Sequence, residues 1–259
     1  MCKVIAVSNQ KGGVGKSSIV ANLGIGLALN GKKVCLIDAD PQGSLTASLG
    51  YQEPDEIRIT LATIMTSIIN EEEFPDDYGI LKHPEGVDLL PANIELSGLE
   101  VSLGNTMSRE MILRDYVEQI RDHYDYILID CMPSLGVMTI NALAAADRVL
   151  IPVQAAYLPV KGLQQLIRTV NVVRKRLNKK LQIEGILINM ADYRTNYAKD
   201  ITEMLHDSYG SSVGILDIYI PFSVKVAEAS ACGMSIFKYA PKCKVADSFS
   251  ELTKGVLER

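Results

Sequence analysis

The chain has no C-x-x-C pair and no cluster of histidines. Its five cysteines, Cys2, Cys35, Cys131, Cys232 and Cys243, are an odd number without metal spacing. That pattern reads as reduced thiols in a cytosolic protein, not as a disulfide framework or a zinc site. The three histidines, His83, His123 and His206, stand far apart, so no metal centre is expected from them. No apolar run approaches the roughly 20 residues needed to cross a bilayer. The start, Met1-Cys2-Lys3-Val4, leads directly into a strand-like run, so no signal peptide is expected. Internal repeats and low-complexity segments are also missing. Positive charge is not in excess: the net charge of −5 argues against indiscriminate coating of nucleic acid and leaves room for a local basic patch. What is present is 47% apolar and 22% charged residues over 259 positions. This is enough for one large α/β domain, 1–259, with a well-buried core.

The rest of the chain is organised around Gln10-Lys11-Gly12-Gly13-Val14-Gly15-Lys16-Ser17. It joins the apolar run Val4 to Val7 to a stretch with helical spacing at Ile19, Val20, Leu23, Leu27 and Ala28, which ends at Asn30-Gly31. A strand feeding a glycine-rich turn and then a helix is how proteins hold nucleotide phosphates. Glycines let the backbone approach the anion, successive N–H groups point inward, and the helix N-terminus adds partial positive charge. Lys11, Gly12, Gly13, Val14, Gly15, Lys16, Ser17 and Ser18 form the expected nucleotide-binding set. Lys16 is expected to reach the terminal phosphates and the Ser17 hydroxyl to ligate Mg²⁺. The ordinary P-loop requires glycine where this chain has Gln10, and has no counterpart of Lys11.

Lys33 to Asp38 is a continuous apolar run ending in acid, which reads as a buried parallel strand. Asp38 and Asp40 follow at its carboxyl end, where open α/β sheets place ligands. Two such carboxylates can orient Mg²⁺ or an attacking water, and the bare pattern also fits a strand-ending turn with an Asp cap. Tyr126 to Asp130 reads as a second acid-terminated strand, whose Asp130 would hold the Mg²⁺ water shell near Ser17. Helices are expected at Thr60 to Ile69, Glu95 to Leu103, Arg109 to His123, Ser134 to Ala146, Leu163 to Leu177, Asp192 to Leu205 and Ser248 to Leu257. Further strands are expected at Val87 to Pro91, Arg148 to Val153, Gln182 to Met190 and Val213 to Ile220. The acidic stretch Glu71 to Asp77 reads as a solvated loop. Strands alternating with helices give a doubly wound, mostly parallel twisted sheet flanked by helices, a P-loop nucleotide-binding fold.

Three stretches carry a resemblance: KGGVGKS at 11–17, IDADPQG at 37–43 and YDYILIDCMPSLG at 124–136. They resemble the deviant Walker A, Walker A′ and Walker B boxes of the ParA/MinD ATPases, and the match to ParA/Soj-type partition ATPases runs over nearly the whole chain. The resemblance implies that Asp40 is required for hydrolysis. It also implies that Lys11 crosses a dimer interface to the partner's ATP, completing a catalytic set of Lys11, Lys16 and Asp40. Mg²⁺ would lie among Ser17, Asp38 and Asp130, and adenine beside Asn189, Pro221 and Phe222. Such proteins bind nonspecific DNA as ATP-sandwich dimers, hydrolyse ATP slowly, answer to a ParB-like centromere-binding partner and work in the cytoplasm on the nucleoid.

DNA contacts are expected from Arg174 and Lys175, in a basic run at a helix end, and from Lys225, Lys242 and Lys244, read together as one patch. The same helix end also suits a solvated face favoured by the helix dipole. The family has arginines where this chain has Phe222 and Lys225, which weakens that surface. A membrane-positioning MinD role is not expected, since Glu251 to Arg259 does not form a basic amphipathic end. A nitrogenase-iron-protein role does not suit the DPQ box. Two functions therefore stand: a DNA-segregation ATPase, or a positioning ATPase for a protein cargo with little DNA binding.

Overall fold

The computed structural model describes residues 2–155, 160–192 and 194–259. Among them, eight strands form one sheet: β1 Lys3–Val7, β2 Val34–Ala39, β3 Leu81–Lys82, β4 Val87–Leu90, β5 Tyr126–Cys131, β6 Arg148–Gln154, β7 Gln182–Ala191 and β8 Ile215–Pro221. The helices are α1 Lys16–Leu29, α2 Ser44–Ser48, α3 Leu61–Ile69, α4 Glu95–Ser102, α5 Ile112–Ile120, α6 Val137–Ala145, α7 Val160–Arg176, α8 Asn196–Tyr209, α9 Val224–Ala231, α10 Ile236–Tyr239 and α11 Lys244–Leu257. Strand order is β3-β4-β2-β5-β1-β6-β7-β8, parallel throughout except for the β3–β4 pair. From β1 the chain steps out to β2 on one side and later, through β6 to β8, on the other. The switch in direction places a ligand crevice beyond the carboxyl end of β1.

Side-chain alternation along the strands builds two cores. Val4, Ala6, Cys35, Ile37, Ile127 and Ile129 face a layer containing α3 to α8. Ile5, Val7, Leu36, Leu128 and Leu187 face α1, α2, α10 and α11, with Val226 of α9 packed at its margin. Each fully buried Leu or Ile contributes about 1.5–3 kcal/mol of transfer free energy. Helix α1 is buried almost all round. It lies close to the sheet because Gly24 has no side chain, for a Cβ there would sit 2.5 Å from Leu36 Cδ2. That close seating fixes where the amino end of α1 meets the sheet.

The expected helices and strands are present, with shifted ends. Helix α5 is shorter than the expected Arg109–His123 because Arg109 turns back to the Gly104 carbonyl and residues 121–123 form a 3₁₀ turn. Helix α11 starts a turn before Ser248, since Val245 and Ala246 continue its buried face. Helix α8 starts after the expected Asp192, at Asn196, capped by the Thr195 hydroxyl, and Tyr193 lies outside the described residues. Helices α2, α9 and α10 and strand β3 were not anticipated. They run from two to eight residues, too short for a periodicity to register.

Candidate functional site

The loop after β1 is held by two strands, β6 and β7, and by a bond of its own. Ser8 N–H donates to the Leu150 carbonyl at 3.1 Å, and the Asn9 amide donates to the Pro152 carbonyl at 2.6 Å while its oxygen accepts from Lys11 N–H at 2.9 Å. From β7, the buried Asn189 amide donates to the Val14 carbonyl at 2.7 Å. Gly15 stands in the left-handed region at φ 84° as the N-cap of α1, without a side-chain cap. A Cβ there would run into the Asn189 amide, so both the backbone and the packing select glycine. At Gly12 and Gly13 an added Cβ would meet nothing within 4 Å, which leaves the cradle open above the exposed loop tip. Lys16 opens α1 and is 7% exposed, whereas Lys11 is half-buried at the start of the loop.

Beside this cradle the sheet aligns its acids. Asp130 on β5 is in register with Val7 of β1 and with Asp38 of β2, and alternation turns Asp38 and Asp130 toward the α1 side. Asp38 is fully buried and well partnered: Oδ2 accepts from Thr46 N–H at 2.9 Å and the Thr46 hydroxyl at 2.7 Å, and Oδ1 from Asp40 N–H at 3.2 Å. Asp40 is 8% exposed and its Oδ1 accepts from Gln42 N–H at 3.0 Å. Asp130 differs. Both its oxygens are buried without a well-formed hydrogen bond among the described residues, although the Ser17 hydroxyl and the Lys16 ammonium lie close enough to favour its charged form. Burial, and then the charges of Asp38 and Asp40, push its carboxyl well above the ordinary range.

An orphaned carboxylate next to a serine hydroxyl and a lysine, below an open glycine cradle, fits a hard divalent cation with a phosphate ligand. Asp130 and Ser17 could hold that cation. Asp38, expected at the metal, has both oxygens hydrogen-bonded, Oδ2 to Thr46 and Oδ1 to Asp40 N–H, and so also braces the Asp40 turn.

Burial pushes Asp38 up to about 7 from 3.8, against the opposing Thr46 and Asp40 hydrogen bonds and with the Asp40 charge adding to it. The folded protein therefore keeps a proton that the unfolded chain has lost. The stability this contributes is fully present below about pH 4 and is lost as pH rises toward about 7. The nucleotide-free protein should thus lose melting temperature across that window, and Asp38→Asn should show a shallower loss. Thermal scans of both proteins across that range check this, and equal slopes would contradict it.

Asn189, Pro221 and Phe222 come together as expected. With Ser18, Met190 and Phe249 they line an apolar cleft of about 190 Å³ beside α1. Met190 has φ 53°, an uncommon conformation for a residue with a side chain, directly after the amide that grips Val14. Asn9, Thr46 and Met190 were missed as contributors. Only Asn9, adjacent to the loop, offered a sequence signal.

The basic residues do not form one patch. Arg174 and Lys175 end α7, on the α3–α8 face and at the amino ends of the strands, with Arg174 donating to Asn171 Oδ1 at 2.7 Å. Lys225 lies in the first turn of α9, and Lys242 and Lys244 adjoin the start of α11, on the opposite face and toward the nucleotide end. The expectation of a joint patch is corrected by this topology: helices on opposite faces of a sheet cannot merge their surfaces within one protomer. Cys131, beside Asp130, is buried and pushed up to about 12, so it is not a reactive thiol.

A family model described as an AAA domain matches residues 2–183. The sporulation initiation inhibitor protein Soj of Bacillus subtilis (strain 168) is 42% identical over 99% of this chain and 98% of its own length. The chromosome partitioning protein ParA of Caulobacter vibrioides (strain NA1000 / CB15N) is 39% identical over 99% and 94%. Among solved structures, a cobyrinic acid a,c-diamide synthase of Mycobacterium smegmatis with bound ADP and magnesium has 34% identity and a TM-score of 0.86, covering 100% of this chain and 95% of its own.

Proposed function

The chain belongs to the ParA/MinD family, alongside its Soj/ParA chromosome-partitioning ATPases, and from that premise we propose that it segregates DNA as an ATP-switched dimer. The observation that carries the proposal is a second lysine, Lys11, on a loop whose own lysine, Lys16, already sits buried beside the acids. One ammonium suffices for the terminal phosphates of the nucleotide bound in cis, and the family resemblance carries Lys11 to the nucleotide of a second subunit.

The reaction is hydrolysis of ATP to ADP and phosphate. Backbone N–H groups of residues 12–15 and the amino end of α1 take the phosphates. Lys16 neutralises the γ-phosphate, and the apolar cleft at Asn189, Pro221 and Phe222 takes the adenine. Mg²⁺ held at Ser17 and Asp130 would offset charge developing on the β- and γ-oxygens. Asp40, fixed by Gln42 N–H and by the Asp38–Thr46 brace, orients the attacking water. Lys11 of the partner subunit stabilises the transition-state charge.

On this reading the ATP-bound dimer holds nonspecific DNA on the nucleoid through Lys225, Lys242 and Lys244; Arg174 and Lys175 lie on the other face and are not needed for that contact. A centromere-binding partner stimulates hydrolysis and releases it. A second reading, positioning of a protein cargo with little DNA contact, is favoured by one feature: the exposed Phe222 and Lys225 replace arginines that resemblance places on the DNA surface. Sedimentation velocity tests the switch. ATP with Asp40→Ala should yield a dimer, and ADP a monomer. A monomer in both would remove the basis for a role of Lys11 in trans.

A further inference from the structure

We propose that the groove between α7 and α8 docks an acidic amphipathic helix of a partner protein. The groove encloses about 510 Å³ and runs along one outer stripe of α7, at Ile167, Arg168, Val172, Lys175 and Arg176, with Tyr209 at the end of α8 as its inner wall. These α7 positions recur at three- and four-residue spacing, so they share a face distinct from the core-facing Leu163, Leu166, Val170 and Val173. From Arg168 to Arg176 the stripe is about 12 Å long, the rise of two helical turns.

Three independent features specify the occupant. The cations Arg168, Lys175 and Arg176 are exposed and none of them has an acidic partner among the described ion pairs, which calls for a partner carrying carboxylates. Val172 is 48% exposed within the same stripe, and Ile167 is half-buried beside it, so the occupant also brings apolar side chains. Tyr209 is more than nine-tenths buried, yet its hydroxyl has no hydrogen-bond partner among the described residues; a polar group arriving in the groove would satisfy it.

Duplex DNA matches the cations and neither of the other two features. An amphipathic helix with glutamates flanking leucines matches all three.

The groove is connected to the nucleotide site. Helix α7 begins beside the phosphate loop, where a Cβ added at Gly162 would lie 3.5 Å from Gln10 Oε1, and that oxygen is itself buried without a hydrogen-bond partner among the described residues. A helix docked on α7 thus bears on an element that abuts the loop carrying Lys11. This inference deepens the partner-stimulated reading and rests on it only in supposing that a partner exists.

The test uses the full chain and a fluorescein-labelled peptide of about 14 residues, glutamate and leucine in heptad order, followed by anisotropy. The control peptide carries lysine in place of glutamate. The acidic peptide should bind and the basic one should not, and high salt should weaken the binding. Arg168→Glu should weaken it about tenfold, and Val172→Ser and Tyr209→Phe about threefold each. All three variants should melt as the parent does to within a few degrees.

Equal binding of both peptides, or no loss in the three variants, would overturn the proposal. So would loss of duplex DNA binding in Arg168→Glu with normal binding in Val172→Ser, which would mark a plain polyanion surface. The partition reading is tested separately, by ATP-dependent DNA binding of the parent chain.

Discussion

Lys11→Ala is expected to lower ATP turnover by about 10³-fold or more, the scale at which an arginine finger supplied in trans operates. Its own phosphate cradle is intact in that variant. Lys16, Ser17 and Asp130 keep their places, Asn189 still holds Val14, and the Lys11 backbone N–H still bonds to Asn9. ATP affinity of the monomer should therefore stay within about threefold of the parent, because the groups that bind the nucleotide in cis are untouched. The distinction between cis and trans is measurable by mixing. A Lys11→Ala subunit has a sound nucleotide site, and a Lys16→Ala subunit can still offer Lys11 to its neighbour. Mixed together, two inactive proteins should recover part of the parent turnover. No recovery at any ratio would place Lys11 in its own site and remove the sandwich arrangement.

Asp40→Ala should produce the second large loss, about 10²- to 10⁴-fold in turnover, as expected for a group that aligns or deprotonates the attacking water. Its signature differs from that of Lys11→Ala, because the ATP-bound dimer should now accumulate. The brace around Asp40 gives a graded control: Thr46→Val removes a donor to Asp38 and leaves Asp40 itself in place. A matching loss of ATP affinity in Asp40→Ala would mean that the carboxylate holds nucleotide and does not act on water.

The site was legible in the sequence wherever chemistry demands particular residues in immediate succession. Glycines that open a cradle, a lysine at a helix start and an aspartate closing an apolar strand are each local patterns, and Gly15, Lys16 and Asp130 stand as the pattern expects. The acids could also be anticipated, but not their division of labour. That Asp38 is braced while Asp130 has no well-formed partner among the described residues depends on Thr46, eight residues beyond Asp38 and carried by the short α2. Met190 was invisible for a similar reason, since a left-handed backbone at a residue with a side chain has no sequence signature.

The basic patch failed because it depends on topology. A run at the end of α7 and lysines near α11 are both plain in the sequence, and only the direction in which each connection crosses the sheet decides that they face opposite ways. The expected one-domain organisation, 1–259, stays a proposal, supported by a single sheet that draws its strands from Lys3 to Pro221.

The most direct measurement is binding of a random-sequence DNA duplex by the parent chain, Asp40→Ala and Lys11→Ala, each without nucleotide, with ADP and with ATP. The account predicts binding only with ATP, retained in Asp40→Ala, lost in Lys11→Ala, and falling steeply with salt as phosphate contacts release counterions. A trapped Asp40→Ala dimer that ignores DNA would contradict it and turn the search to a protein cargo.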